Sequence, residues 1–482
     1  MTRNLLAFSL LTCVSYTSQY AHAQQGPPIV IQPGATVTLP TGAAPSAVAV
    51  ADFNADNRFD VAVCERGLNQ VAIYLQTAAG TYPSPVNTYP AGQSPSGLVA
   101  TRLTNQPNRP PGDLIALSGP SSKWTLLYND GNGQGSFTEV PATGAFGTGQ
   151  VSVNPQLVAA NIDRNLYVDV AYTYDGPNQG RVKWDSYAGA GHFNGGSYYD
   201  IPFAPASLAL DDFDRDGFTD VVYTDPLSNQ FWVLFALQSN PPVWNAPAEL
   251  TQIPSAGIQP IHAATGDVNR DFQPDIVVAN AGSNNLVLFL NVGAYQFGSP
   301  FAYTLSAAPR KVLLEDLNGD SSPEMLVITA DNQLQVFQHT GALGIGRYGA
   351  PQLLATGVNP TTLQTVDVNG DTVKDIVVGC VGDNTVRMYL NRSLQPMATR
   401  APQLTGLSVF PSPATDQLQL HASRTIKGPL VATLLDNLGR TVRQLEVQPD
   451  ISPIPVADLP RGFYTLRVVG KEGTYSSKIM LK

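Results

Sequence analysis

Acidic and amide side chains recur in this sequence at fixed spacing, and together they have the chemistry of a hard-cation site. Six loops carry Asp, Asn or Glu at their first, third, fifth and ninth places. They are Asp52, Asn54, Asp56 and Asp60; Asn161, Asp163, Asn165 and Asp169; and Asp212, Asp214, Asp216 and Asp220. The other three are Asp267, Asn269, Asp271 and Asp275; Asp316, Asn318, Asp320 and Glu324; and Asp367, Asn369, Asp371 and Asp375. Calcium takes six to eight oxygen ligands at about 2.3–2.6 Å. A tight loop turns alternate side chains inward, and a backbone carbonyl near the seventh place adds another oxygen. The first five places imitate an EF-hand loop. The flanking runs, however, are strands, and the closing acid comes at the ninth place instead of the twelfth. The competing reading of any one loop is an Asx/Gly turn with solvated acids. Six loops in register favour the metal and predict up to six calcium ions in a structural role.

The charge balance agrees. Of the 31 acids in residues 1–401, 18 stand at these loop positions, against 18 basic residues in the same stretch. That leaves a charge of −13, which six divalent ions would bring near neutrality. Without metal, three or four carboxylates per loop repel one another. Two loops depart from the pattern. The segment Arg102–Asp113 has no acid at its first places and is expected to bind no calcium. The 161–169 loop has only two acids, Asp163 and Asp169, and is expected to be the weakest site.

The loops sit in a repeat. A Pro precedes a short apolar run at Pro45, Pro95, Pro155, Pro205, Pro260, Pro309 and Pro360. Most runs enter an acidic loop and leave it on a second run, such as Asp275-Ile-Val-Val-Ala279. A third run ends in an aromatic, as at Tyr74, Phe289 and Tyr389. An aromatic-x-x-Pro turn follows, as at Trp244…Pro247 and Tyr348…Pro351, and a fourth run leads to the next Pro. Four short strands repeated seven times predict an all-β, seven-bladed β-propeller. The alternative, a solenoid, needs capping repeats. After Asn391 the last repeat lacks its own fourth run, whereas Gly34–Pro40 precedes the first Pro without a repeat of its own. The N-terminal strand is therefore expected to close the last blade and leave no open edge.

Composition excludes other classes. The 42 Gly and 39 Pro, with only 13% charged residues, do not suit long helices or coiled coils, and 43% hydrophobic residues suffice for a core. A net charge of −10 disfavours nucleic acid and anionic membranes as partners. At the N-terminus, Arg3, the apolar Leu5–Val14 and Ala21-His-Ala23 read as a signal peptide over residues 1–23. The rest is expected to be exported and not an integral membrane protein. A lipidated Cys13 is the alternative reading, with Thr12 a poor residue before it. Cys64 and Cys380 each end an Asp-led apolar strand. Two buried free thiols are the plain reading, and a ring-closing disulfide is the other.

The repeats over residues 30–393 resemble the FG-GAP/VCBS repeats of integrin-α-type propellers and bacterial surface proteins. Asp212-Phe-Asp-Arg-Asp-Gly-Phe-Thr-Asp220 is close to that family's loop, and Phe297-Gly-Ser-Pro300 resembles its name-giving turn. The resemblance implies structural calcium on one face and partner-binding loops on the other. Residues 405–482 resemble the C-terminal sorting domain of the type IX secretion system of Bacteroidetes. That resemblance rests on Phe410-Pro-Ser-Pro-Ala414, Leu434-Leu-Asp-Asn-Leu-Gly-Arg440, Leu459-Pro-Arg-Gly-Phe-Tyr-Thr-Leu466 and Lys478-Ile-Met-Leu-Lys482. Ser412 stands where the family usually has Asn. The implied partner is the type IX machinery, and the implied location is outside the cell or on the outer surface of a Gram-negative host. Alternating strands there predict a small Ig-like β-sandwich. The expected order is signal peptide 1–23, propeller 24–393, linker 394–404 with Pro396 and Pro402, and sorting domain 405–482.

No catalytic constellation is visible. His192, His262, His339 and His421 form no metal-ligand pair in sequence, and there is no G-x-S-x-G elbow, phosphate loop or CxxC. Tyr172, Tyr174, Trp184, Tyr187, Tyr198 and Tyr199 form a cluster that could stack on a sugar or simply pack between blades. The expected function is a non-enzymatic binding or adhesion module for an unknown protein or glycan. A polysaccharide-active, lyase-like propeller and a glycan-binding lectin are the alternatives.

Overall fold

The computed structural model describes residues 27–78, 80–103, 112–121, 123–144, 156–163, 168–175, 180–237, 243–244, 249–340, 347–393, 407–411, 413–422, 430–435, 441–448, 452–470 and 473–482. The expected signal peptide and linker lie outside them, as does Asn165. The chain divides into two compact units, Met1–Leu394 and Gln395–Lys482.

Among the described residues, the first unit holds seven antiparallel sheets of four or five strands and one two-stranded ribbon. The repeat pattern explains the sheets. In the fifth repeat Pro260–Gly266, Asp275–Asn280, Asn285–Phe289 and Phe301–Thr304 pair in chain order. The second strand is buried along its whole length in six of the repeats, for example Asp60–Glu65 and Asp375–Cys380. Sheets covered on both faces read as continuous apolar runs, which is why Asp-Ile-Val-Val works here. The third sheet differs: it gains a fifth strand, Thr143–Gly144, paired parallel to His192–Ile201.

The first strands of the sheets touch one another in order. Pro45–Ala51 meets Gly97–Thr101, which meets Leu157–Ala160, then Leu208–Asp211, Pro260–Gly266, Pro309–Glu315 and Pro360–Val366, and the last returns to Pro45–Ala51. Apolar clusters fill the spaces between neighbouring sheets, such as Val48, Val63 and Tyr74 with Val377, Val386 and Met388. The N-terminal strand Ile31–Thr38 pairs antiparallel with Thr385–Asn391 and is the outer strand of the last sheet. It starts three residues before the expected Gly34, because Ile31 is itself buried against Leu334 and Tyr389.

In the second unit Leu407–Phe410, Gln417–Ala422 and Ile454–Pro455 form one sheet. Thr441–Val447, Leu430–Leu435, Gly462–Gly470 and Gly473–Leu481 form another. Alternate residues of both, including Leu418, Leu420, Leu434, Leu466 and Ile479, share one core. Among the described residues, no helix is long and apolar enough to cross a membrane.

Candidate metal centre

Each acidic loop joins the first and second strands of its sheet. Five of them wind alike. The amide of the sixth residue donates to the first carboxylate: Asn57 to Asp52, Gly217 to Asp212, Phe272 to Asp267, Ser321 to Asp316 and Thr372 to Asp367, at 2.7–2.8 Å. The amide of the seventh donates to the fifth carboxylate, as from Phe218 to Asp216 at 2.7 Å. These Asx-type bonds fold the side chains over their own backbone. The winding requires left-handed backbone at the fourth and sixth places. Ala55, Asn57, Arg215, Gly217, Arg270, Phe272, Gly319, Ser321, Gly370 and Thr372 all have φ between 60° and 84°. For Thr372 and Phe272 that conformation is a steric cost that glycine would not bear.

The loops then differ in what meets their carboxylates. Asp212, Asp214 and Asp216 bring one oxygen each to within 4.8 Å of one another. Asp212 Oδ1 is buried and has no hydrogen-bond partner. Among the described residues no basic side chain pairs with any of the three. In three other loops the fifth carboxylate has a cationic neighbour: Arg58 pairs with Asp56, Arg270 with Asp320 at 3.0 Å, and Arg392 with Asp371 at 3.4 Å. Amides at the third place donate to the fifth, from Asn54 to Asp56 at 2.9 Å and from Asn269 to Asp271 at 3.0 Å. Asp320 Oδ2 is nevertheless buried without a partner. In the 161–169 loop Ser186 Oγ donates to Asp163. The unpartnered oxygens fit a hard cation, and the 212–216 trio fits best.

The ninth acid does something further. Asp220 Oδ2 accepts from the Phe213 amide and Oδ1 from the Ala236 amide, both at 2.8 Å. Asp60, Asp275 and Asp375 repeat this with Phe53 and Gln76, Val268 and Asn291, and Val368 and Asn391. Asp169 takes the amides of Ile162, Asp163 and Tyr187, and Glu324 that of Leu317. Asp113 does the same with Leu103 and Asn129, in the repeat that lacks the other acids. A buried carboxylate thus ties the loop to the end of the third strand whether or not the loop has a metal pattern. Burial pushes these carboxyls up, Asp60, Asp169 and Asp375 to about 6, Asp275 to about 7, and Asp220 and Glu324 to about 8. The backbone amides oppose that rise, and the neighbouring loop carboxylates add to it.

Two further sets of residues support the loops. Asn129 Nδ2 donates to the Phe53 carbonyl, Asn291 to Phe213 and Asn391 to Leu317, at 2.7–2.9 Å. Each bond reaches back to the second residue of the preceding repeat's loop. The visible signal was an Asn just past the aromatic that ends the third strand, as in Phe289-Leu-Asn291 and Tyr389-Leu-Asn391. The aromatic turn residues also have a task. Tyr82 Oη, Trp244 Nε1 and Tyr348 Oη donate to the carbonyls of Phe59, Thr219 and Pro323, each just before the ninth acid.

The other candidates are mostly packing. Tyr172, Trp184 and Tyr187 are buried between sheets. Tyr199 packs beside them, and Tyr198 is exposed under the Arg181 guanidinium. The Tyr174 side chain lies outside the described residues. Cys64 and Cys380 are free and buried, and burial pushes both thiols up, Cys380 to about 11.

Comparison with known proteins follows the same division. Residues 212–278, 267–327 and 316–378 match the FG-GAP-like repeat, and residues 408–482 match the secretion system C-terminal sorting domain. Among curated proteins none matches. Among solved structures, BBS1N in its complex with ARL6DN is 10% identical with a TM-score of 0.52, over 77% of this chain and 98% of that one. An Agrocybe aegerita structure described as recognising non-reducing terminal N-acetylglucosamine is 14% identical, TM-score 0.45, over 68% and 81% of the two chains. The Dos1 propeller is 12% identical, TM-score 0.45, over 73% and 78%.

Proposed function

We propose that this chain, which carries FG-GAP-like repeats over residues 212–378 and a secretion-system C-terminal sorting domain over 408–482, is an exported non-enzymatic binding module built on a calcium-stabilised, seven-bladed β-propeller. The closed order of first strands and the completion of the last sheet by Ile31–Thr38 support seven blades. The two sheets around one core in residues 407–482 support an Ig-like sandwich, handled by the type IX machinery.

Up to six calcium ions would sit in the acidic loops, with Asp212, Asp214 and Asp216 holding the best-formed site. When bound, calcium supplies charge neutralisation and a cross-link across its hairpin. The chain's own residues do the rest: the ninth carboxylate holds the loop backbone, and Asn129, Asn291 and Asn391 tie the 52, 212 and 316 loops to the next sheet.

One observation carries the binding role. Antiparallel sheets place the turns between second and third strands, and the connections into each first strand, at the end opposite the acidic loops. There Leu227 is 86% exposed, Ile258 59% and Val358 53%. Backbone bonds hold that end rigid, from Gly282 to the Ile258 carbonyl at 2.9 Å and from Gly382 to the Val358 carbonyl at 2.8 Å. Apolar residues displayed on a fixed scaffold suit recognition of a protein or glycan surface.

A glycan array, run beside an absorbance assay for unsaturated products from polygalacturonate, separates binding from lyase activity. Turnover in the second assay would reject the non-enzymatic reading. In the native host, loss of residues 405–482 should keep the protein inside the cell, and normal secretion of the truncated form would reject the sorting role.

A further inference from the structure

The first strands of the sheets enclose a cavity of about 360 Å³, and every one of them or its lead-in contributes to the wall. Its composition is opposite to that of the protein around it. Residues 1–401 carry 31 acids against 18 bases, yet the wall contains Arg310, Lys311 and His262 and no carboxylate. Among the described residues neither Arg310 nor Lys311 has an acidic partner. Hydroxyl and amide groups make up much of the remainder, including Ser96, Gln156 and Thr361.

Two polar atoms there are buried and unsatisfied, His262 Nδ1 and Ser96 Oγ. Burial and the neighbouring Lys311 charge hold the His262 imidazole down to about 3, so it is neutral and keeps one nitrogen for donation. Burial also lowers Lys311 from the usual ammonium range. Arg310 is exposed and Lys311 half-buried, so the wall presents positive charge without a counter-charge, and a cleft lined by one sign of charge focuses its field on whatever enters.

We propose that this channel is a binding site for a small oxyanion carrying two or more negative charges, with Arg310 and Lys311 as counter-charges and His262 and Ser96 as hydrogen-bonding groups. The site is separate from the acidic loops, and its wall begins at Ile261 and Thr361, three residues past the exposed Ile258 and Val358. Its failure would leave the binding-module reading standing.

Sulfate is the probe, because it stays soluble with millimolar calcium. The secreted protein, loaded with calcium, is titrated with sodium sulfate by calorimetry, with sodium chloride at equal ionic strength as the control. Saturable one-site binding of sulfate is expected, with a rise in melting temperature that chloride does not give. Arg310→Gln together with Lys311→Met should weaken sulfate at least tenfold. The Arg310 side chain is exposed, so Arg310→Gln alone should fold normally and still weaken binding severalfold. The His262 ring resonances should move with sulfate in the unsubstituted protein. Sulfate behaving like chloride, unaltered affinity in the variants, or unmoved His262 resonances would each overturn the assignment.

Discussion

The side-chain amide of Asn391 donates to the backbone carbonyl of Leu317, 2.7 Å away and 74 residues earlier in the chain. Leu317 is the second residue of one acidic loop, and Asn391 ends the third strand of the following repeat. The same Asn391 gives its backbone N–H to Asp375, the ninth acid of its own loop. One residue thus joins two loops of neighbouring sheets. Replacing it leaves a buried carbonyl unsatisfied, a loss of about 1–3 kcal/mol. Asn391→Ala should lower the urea midpoint by a corresponding amount without changing the m-value, and an unchanged midpoint would show that the bond is dispensable.

Calcium dependence should follow the local geometry of each loop. Binding adds about 2.7 kcal/mol per site when calcium is a hundredfold above Kd. Extracellular modules bind at about 10⁻⁴–10⁻³ M. Asp216→Ala removes a member of the converged trio and should cut the difference in melting temperature between calcium and chelator. Asp163→Ala should have a smaller effect, since Ser186 already occupies that carboxylate. Identical melting curves with and without calcium, and no metal by elemental analysis, would return the loops to ordinary turns.

Loop strain gives an independent check. Thr372 holds φ at 70° and Phe272 at 67°, the latter residue 77% exposed. Left-handed backbone costs an L-residue about 1–2 kcal/mol, partly offset in a glycine variant by its extra unfolded-state entropy. Thr372→Gly and Phe272→Gly should therefore raise stability by up to about 1 kcal/mol each. A drop in melting temperature for both would mean that the side chains themselves stabilise the loops.

Closure by the N-terminal strand should be essential. Deleting residues 24–41 removes the partner of Thr385–Asn391 and the buried side chains of Ile31 and Val37. An open hydrogen-bonding edge then remains on the last sheet. The truncated protein should melt well below the full one and self-associate. An unchanged melting temperature with a monomeric profile would reject closure.

Much of this protein is legible locally. The seven prolines, the Asp-led apolar runs and the loop spacing are local patterns, because a strand and its turn answer to neighbours a few residues away. They predicted where the second strands lie and which carboxylates share a loop. The exchange of the N-terminal strand into the last sheet was legible too, since one repeat lacked a strand and one strand lacked a repeat. What local pattern could not reveal is which groups meet across the molecule. The spacing marks Arg102–Asp113 only as a segment expected to bind no calcium, and the contacts of Asp113 with Leu103 and Asn129 show the clamp it shares with the other ninth acids. Asn129, Asn291 and Asn391 each meet a carbonyl of the preceding repeat only where neighbouring sheets pack together. His262 and Lys311, 49 residues apart, share one cavity because successive first strands line a common axis. An alternating strand pattern specifies two faces of a sheet but not what faces them. Packing of one sheet on the next supplies that information, and it exists only in the closed fold.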